Sequence, residues 1–483
     1  MRAMKLSVVA ATVMLASACS TLPEYVTNAT PEKAVEQRLS NDFSKYQIAH
    51  LADVAESEQW WQQVENQELN QLIATVLEQN QNLKASAARL RAAVAQLSAE
   101  QKSRWPQGSI SVNANRDKGV TTATSEIFES TSAGAALTWQ LDLSGRLNAL
   151  AEAANAAAEN RQGIHQSLVA ELVSNSVRSY LYWQSLQQQK MLTQNQLTAL
   201  EDSIEILDVR YAEGLSTDLE LNRTKAQYFE LKQRLPQIAG ELARVSSVLA
   251  VLQNKAVAKV QLTPLTSEQY QALNFDIQLA SPLDALVHRG DLRSAVALLA
   301  QQNELTVSAE RALYPDISFS AFAGVFNNQG ISFSDTQSSW QIAPQLSWSL
   351  FSYPQLLAQL DTQQALSEAS YYDYQNTVSQ IVADTEVALQ LLVQNEAQLD
   401  FAKRRSYAAS KAYEIANSGY QEGQIGYLEL LNARQDVLIA EQAQLVAHNL
   451  WLEANVNVYG EFSGDWSSAL LSSTTELSAA LGK

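Results

Sequence analysis

Leu137-Thr-Trp-Gln-Leu-Asp-Leu143 alternates apolar and polar side chains, and Leu346-Ser-Trp-Ser-Leu350 does the same further on, with Trp348 lying 209 positions after Trp139. Period-two alternation sends one kind of side chain to each face of a β-strand. At the same offset Trp105-Pro106 meets Tyr314-Pro315, and Asn82-Leu83-Lys84 meets Asp291-Leu292-Arg293. Tyr211-x-Glu213-Gly214 likewise meets Tyr420-x-Glu422-Gly423, and Leu219-Glu220-Leu221 meets Leu428-Glu429-Leu430. One offset shared by anchors so far apart marks an internal two-fold repeat. Each copy supplies an equivalent part to one object.

Each copy holds a second alternating segment upstream. In Ser109–Asn115, Ile110, Val112 and Ala114 alternate with Ser109, Ser111, Asn113 and Asn115. In the second copy Ile317, Phe319, Ala321 and Ala323 alternate with Ser318, Ser320, Phe322 and Gly324, and the last strand covers Trp340–Leu350. The connections, Asp117–Thr131 (rich in Thr, Ser and Glu) and Asn327–Ser339, read as wet loops. Four strands of about ten residues, apolar on one side and small or polar on the other, carry the signature of a transmembrane β-barrel. Trp105, Trp139, Trp340 and Trp348 stand near their ends as aromatic anchors. A pair of soluble hairpins packed on a core fits the same alternation.

Each hairpin leads into an uninterrupted helical run. Arg146–Glu213 contains no proline and one glycine, Gly163; Pro354–Glu422 contains only Gly419. At 1.5 Å per residue such a helix is roughly 100 Å long, about three times the hydrocarbon thickness of a bilayer. Gly214 and Gly423 end the two runs, since glycine takes the left-handed conformation of a helix C-terminus. Return helices follow over 217–254 and 426–460, and Pro236 kinks or divides the first. Upstream, Leu69, Leu72, Ile73, Val76, Leu77, Leu83, Ala87, Leu90 and Val94 recur at helical steps until Trp105-Pro106.

The chain opens with Arg2 and Lys5 before the apolar run Leu6–Leu15, then Ala16-Ser17-Ala18-Cys19. That is a secretory signal over residues 1–18. The cysteine directly after the small residues resembles a bacterial lipobox, which implies a covalent lipid (palmitate) on Cys19; an ordinary signal with an incidental cysteine is the other reading. Ser20 in place of Asp favours outer-membrane sorting by the same resemblance. Cys19 is the only cysteine, so no disulfide and no cysteine metal cage forms. Loss of Arg2 and Lys5 takes the formal net charge from −18 to −20, which repels nucleic acid and anionic surfaces. No later run of about 18 uncharged apolar residues exists to span a bilayer as a helix.

Four strands cannot close a barrel, and an open edge in lipid leaves backbone groups unpaired. Closure therefore needs several chains. Two chains reach only eight strands, with an interior filled by side chains, whereas three give a homotrimeric twelve-stranded barrel with a lumen. Closure alone does not exclude the dimer.

From Trp60-Trp61 and the Leu69-x-x-Leu72-Ile73 helix onward, the chain resembles the outer-membrane factor (TolC-like) family, in the lipoprotein branch serving resistance-nodulation-division drug efflux pumps. The resemblance continues through Leu235-Pro236-Gln237-Ile238 to Leu249-Ala250-Val251-Leu252, then from Ser281-Pro282-Leu283 to Arg289-Gly290-Asp291-Leu292-Arg293. Tyr314-Pro315-Asp316-Ile317, Val456-Asn457-Val458-Tyr459 and Gly464-Asp465-Trp466 complete it. The family usually has Pro where Gly290 stands and a fuller glycine run before Trp466. What the resemblance implies is a mainly α fold with a transmembrane β part: a β-barrel with four strands per chain, continuous with a long periplasmic α-helical barrel. It implies a lipid-anchored protein of a Gram-negative outer membrane, passively conducting drugs or other small molecules from an inner-membrane RND transporter and a periplasmic membrane-fusion adaptor.

By the family's register the periplasmic constriction maps onto Leu428, Glu429, Asn432 and Gln435, with Glu220 as the partner in the first copy; Asn432 stands where an aspartate is common. Three Glu429 and three Glu220 then form an acidic ring that raises the pKa of some members and attracts cations. Leu428 is the apolar plug. The plain alternative for both glutamates is a solvated carboxylate in the first turn of a helix. The adaptor docks at the tip, around Gly214, Ser216, Gly423 and Gln424. Boundaries follow: signal 1–18, lipidated tether 19–57, first repeat 58–266, second repeat 267–466, tail 467–483.

No phosphate loop, His-Glu-x-x-His or nucleophile elbow occurs, and His50, His165, His288 and His448 lack ligand spacing. The reading is therefore not an enzyme and needs no cofactor or metal. Asp361, Glu368 and Asp373 read as a solvated helix face. A trimeric helical lipoprotein spacer without a pore, or a protein-secretion duct, are the other classes; the alternating strands argue against the spacer.

Overall fold

Nothing in Arg146–Ala212 or Tyr353–Gln421 stops a helix once it has started, and each forms one unbroken helix, of 67 and 69 residues. The computed structural model describes residues 31–36, 59–120, 125–275, 286–327, 330–334 and 336–462. The signal peptide, Cys19, the tail and the Ser281-Pro282-Leu283 and Gly464-Asp465-Trp466 motifs lie outside them. The elements are α1 (Pro31–Glu36), α2 (Gln67–Gln79), α3 (Gln81–Ser103), β1 (Gln107–Val120), β2 (Ser125–Leu141), α4 (Arg146–Ala212), α5 (Asp218–Lys232) and α6 (Arg234–Leu252). There follow α7 (Ser267–Gln271), α8 (Gly290–Arg311), β3 (Asp316–Asn327), β4 (Gln337–Ser347), α9 (Tyr353–Gln421) and α10 (Tyr427–Phe462). Described residues fall into two compact units: 31–36, 95–158 and 295–378, which holds the strands, and 59–94, 159–275, 286–294 and 379–462. Each unit draws on both copies of the repeat.

In the first unit the strands form one antiparallel sheet, β1-β2-β3-β4. The strands are longer at the loop side than their alternation shows. Asp117–Thr131 is not a loop: β1 runs to Val120 and β2 starts at Ser125. The ladder continues because its hydrogen bonds join backbone groups whatever the side chains, and Arg116 faces Glu129 in register with a 3.1 Å ion pair. At the helix side, β2 stops at Leu141 and β4 at Ser347, short of Leu143 and Leu350. There the chain turns into helix: the Asp142 carboxylate accepts from the Leu147 and Asn148 amides at 3.0 and 2.8 Å, capping α4.

The Trp anchors divide into two kinds. The Trp139 indole donates to the Arg104 carbonyl at 2.9 Å, and the Trp348 indole to the Leu313 carbonyl at 3.1 Å. Arg104 and Leu313 are themselves equivalent in the repeat, so one latch between a strand and the end of the preceding helix is built twice. Trp105 and Trp340 are 70% and 76% exposed and stand on the surface with Ile110, Val112, Ile342 and Leu346.

The second unit is a helical core. Trp60 stacks on Tyr459 with centroids 4.9 Å apart and Trp61 meets Trp60 edge-on; Leu69, Ile73, Val173, Val177, Leu249 and Leu452 pack around them. Pro236 divides the return helix as its chemistry requires. Its ring excludes the carbonyl four residues back, that of Lys232, and α5 ends there. By length and composition the stretch Asp218–Leu252 is apolar enough to cross a membrane. It carries the Glu241–Arg244 ion pair and puts Ile238, Val245, Leu249 and Leu252 into this core, so it packs against protein.

α4 and α8 cross backbone to backbone. A Cβ added to Gly163 would lie 2.5 Å from the Gly290 carbonyl, and one on Gly290 would lie 2.6 Å from that of Gly163. Asn160 donates to the Ser294 carbonyl and hydroxyl, both at 2.9 Å. The crossing therefore requires glycine at position 290. Beside it Arg289 is clamped by Asp291 and Glu461. Burial opposes its charge, but the two carboxylates outweigh that and hold its pKa above the ordinary value. Gly163→Ala should cost about 1–3 kcal/mol through overpacking, read as a lower melting temperature in detergent; unaltered melting would mean that the helices separate freely.

His448 is buried between Tyr270 (5.0 Å, edge-on) and Trp451 (stacked at 5.7 Å). Burial, then the charge of Lys403, pushes its pKa down to about 4. The folded state thus binds fewer protons than the unfolded one between about pH 6.5 and 4. Stability present above pH 6.5 is lost as the pH falls through that window, on the order of 3 kcal/mol at its limit. The melting temperature of His448→Phe should show a shallower dependence on pH between 7 and 4 than the unsubstituted protein; parallel curves would place the acid sensitivity elsewhere.

Candidate functional site

The ends of the two long helices are built by one motif used twice. Gly214 has φ +70° and Gly423 φ +72°. Their amides donate to the Tyr211 and Tyr420 carbonyls at 3.0 Å, and the next amides, of Leu215 and Gln424, reach back to Arg210 and Gly419 at 2.8 Å. This paired closure of a helix C-terminus needs a residue with positive φ, and glycine takes it without strain.

The return helices start differently. In the first copy the Thr217 hydroxyl accepts from the Glu220 amide at 3.2 Å, and the Glu220 carboxylate accepts from the Thr217 amide at 2.9 Å and the Ser216 hydroxyl at 2.8 Å. That is a complete capping box. The Thr217 backbone bond, with those hydroxyls and the Arg210 charge, holds the Glu220 carboxyl below its ordinary pKa against a weaker opposing effect of burial. Within one chain the Glu220 carboxylate is turned back on its own helix. In the second copy Gly426 replaces Thr217 and Ile425 replaces Ser216. Glycine has no side chain to cap with, and although the Glu429 amide donates to the Gly426 carbonyl at 3.1 Å, its carboxylate is exposed and makes no hydrogen bond or ion pair among the described residues.

Tyrosines do the work of the missing cap. Tyr427 stands where the first copy has Asp218. Its hydroxyl is 3.0 Å from that of Thr224, and its ring meets Tyr420 edge-on at 5.6 Å. Arg210 donates to the Tyr420 hydroxyl at 2.9 Å and lies 5.7 Å from the ring centroid. Arg434 donates to Ser203 at 2.7 Å. The start of α10 is thereby fastened to α4 and α5 instead of to itself.

Leu428, Glu429, Asn432 and Gln435 are all exposed on the first turns of α10. Leu428, Asn432 and Gln435 recur at steps of four and three and form one stripe, with Leu431 buried along its edge. Ser216 is bound to Glu220, and Gln424 donates to Glu422 at 2.6 Å. The sequence reading missed the capping box, although Thr217-x-x-Glu220 ahead of a helical run is its ordinary signature. It also missed the Arg210–Tyr420–Tyr427 network, for which no local signal exists. Asp361, Glu368 and Asp373 are exposed. No group of three or more His, Cys, Asp or Glu among the described residues is placed to hold a metal ion. Thr217→Ala should cost about 1 kcal/mol of local stability and speed hydrogen exchange over 218–221 about fivefold; unchanged exchange would show that tertiary contacts alone hold the turn.

The sequence profile of the outer membrane efflux protein family matches residues 72–254 and 282–460, once in each half. The toluene efflux pump outer membrane protein TtgC of Pseudomonas putida is 26% identical over 467 residues, 95% of each chain. The pyoverdine export outer membrane protein OpmQ of Pseudomonas aeruginosa is 24% identical, over 88% of this chain and 91% of its own. Among solved structures the outer-membrane channel OprN superimposes with a TM-score of 0.84 at 25% identity, over 93% of this chain and 100% of that one. Matched in both halves and along nearly its whole described length, the chain belongs to the outer membrane efflux protein family.

Proposed function

We propose that three copies of this chain join edge to edge into a twelve-stranded barrel, the exit duct of a tripartite efflux pump. Family membership makes the chain an outer-membrane efflux channel; the trimer, the partners and the gate are the reading added here. The observation that carries it is the open sheet. Among the described residues β1 and β4 each pair on one side only, while Ile110, Val112, Trp340, Ile342 and Leu346 stand exposed. An apolar band suits lipid, and lipid tolerates no unpaired strand edge. Copies of the same chain supply the missing edges, and three leave a lumen where two fill it.

An inner-membrane RND transporter and a periplasmic membrane-fusion adaptor feed the duct, and the adaptor meets the tip around Gly214, Ser216, Gly423 and Gln424. A lipid on Cys19 tethers each chain to the outer membrane. TtgC is named for toluene and OpmQ for pyoverdine, so the cargo here is given only as small molecules. The duct conducts passively and carries out no reaction.

At the entrance the exposed stripe of α10 lines the constriction, with Leu428 as the apolar plug and Asn432 and Gln435 behind it. With Glu220 held in its capping box, three Glu429 carboxylates supply the acidic ring. In planar bilayers Glu429→Gln should abolish cation selectivity while Glu220→Gln leaves most of it intact; selectivity unchanged in Glu429→Gln would remove the ring from this account.

A further inference from the structure

The face of the sheet opposite the apolar band carries Ser109, Ser111, Asn113, Ala136, Thr138, Ser318, Ser320 and Gln341, with one large apolar side chain in mid-strand, Phe322, and two more, Phe128 and Phe326, toward the loop end. In register, Ser109 pairs with Ala136, Ala136 with Phe322, and Phe322 with Gln341. At its own level the ring therefore has only small or flexible polar neighbours.

Two glycines explain where the ring lies. Gly134 and Gly324 face each other across β2 and β3, on the same side of the sheet as Phe322. A Cβ on Gly134 would come within 2.5 Å of the Phe322 Cζ, 2.6 Å of Cε2 and 2.9 Å of the Ala323 carbonyl, and one on Gly324 within 2.5 Å of the Ala133 carbonyl and 2.7 Å of the Phe322 Cζ. Both the facing backbone and the ring therefore take up the space that side chains at these positions would have filled. The tip of the ring reaches over this patch of bare backbone, and the side chain is half-buried there. An aromatic lying over a strand glycine covers backbone that is otherwise left bare and strengthens an intrinsically weak point of the sheet.

We propose that Phe322 is a specificity-determining residue of the duct: three such rings, one per copy, make an apolar belt in the middle of the lumen wall, on the helix side of Phe128 and Phe326, and Gly134 with Gly324 leave the tip of each ring room against the wall so that the bore stays open. The class of molecule this belt takes is apolar and aromatic, since an exposed ring face offers stacking and cation–π contact that Ser, Asn and Gln do not. The inference rests on the barrel reading above. Its content is separate, because a trimer with a purely polar wall would satisfy that reading equally well.

The test is single-channel recording of the full-length protein in planar bilayers, with tetraphenylphosphonium as the probe added from the outer side. Phe322→Ala should weaken its block about five- to tenfold, the scale of one lost aromatic contact, with the unblocked conductance little changed. Phe322→Trp should overfill the space beside Gly134 and Gly324 and lower the conductance. Equal block in Phe322→Ala and the unsubstituted channel would overturn the belt. Unchanged conductance in Phe322→Trp would overturn the berth. Absence of any channel in the unsubstituted protein would instead sink the barrel reading, so the two failures are distinguishable.

Discussion

A strand edge in hydrocarbon has no solvent to fall back on. Each unpaired amide or carbonyl there costs several kcal/mol, far more than the 0.2–1 kcal/mol that a favourable cross-strand side-chain pair returns. The sheet β1-β2-β3-β4 has two such edges, each as long as a strand. Neither side-chain chemistry nor local packing offsets that, so the unit that folds stably in a membrane is larger than one chain. Much else follows from this requirement. An element that must be repeated around an axis is well served by a chain that is itself a repeat. The Trp latches at Arg104 and Leu313 fix where each hairpin leaves its helix in both copies, so equivalent strands enter the sheet in equivalent ways.

Duplication gives two starting points that then diverge, and the tip shows what divergence does. The C-terminal closure at Gly214 and Gly423 is identical in geometry because it depends on backbone bonds and a glycine alone. The N-terminal closure depends on side chains, and there the copies have separated. Thr217 and Glu220 satisfy one another within a single turn. Gly426 gives that up, and Tyr427 with Tyr420 and Arg210 restores attachment through contacts between hairpins. A local cap is independent of its surroundings; an aromatic and guanidinium network holds only while both hairpins are in place. The second copy's return helix is therefore the one whose position depends on its neighbour.

Helices were the most legible part of the chain, because 67 residues without proline leave the backbone no alternative. The division of α5 from α6 was legible for the same kind of reason, a proline acting on the carbonyl four residues earlier. The sheet was half legible. Its alternation was clear where apolar side chains marked one face and vanished where Arg116, Asp117 and Glu129 made both faces polar, though the ladder runs on regardless. Resemblance placed Leu428, Glu429, Asn432 and Gln435 on one helix. It did not distinguish Glu220 from Glu429, because equivalent letters at equivalent positions conceal different partners. The crossing at Gly163 and Gly290 was invisible for a third reason: it depends on two residues far apart in sequence meeting with nothing between them.

The difference between the two glutamates has an electrostatic consequence. Six carboxylates crowded at one constriction would repel strongly, since like charges a few ångströms apart in a narrow, partly desolvated pore interact by several kcal/mol. Such a cluster relieves itself by protonating some members. In each chain the Thr217 amide and the Ser216 hydroxyl already neutralise the demand of Glu220, and the nearby Arg210 adds a positive charge. The capping box thus compensates that charge at the helix N-terminus without removing it. Glu429, with an exposed carboxylate that makes no hydrogen bond or ion pair among the described residues, has no such local compensation.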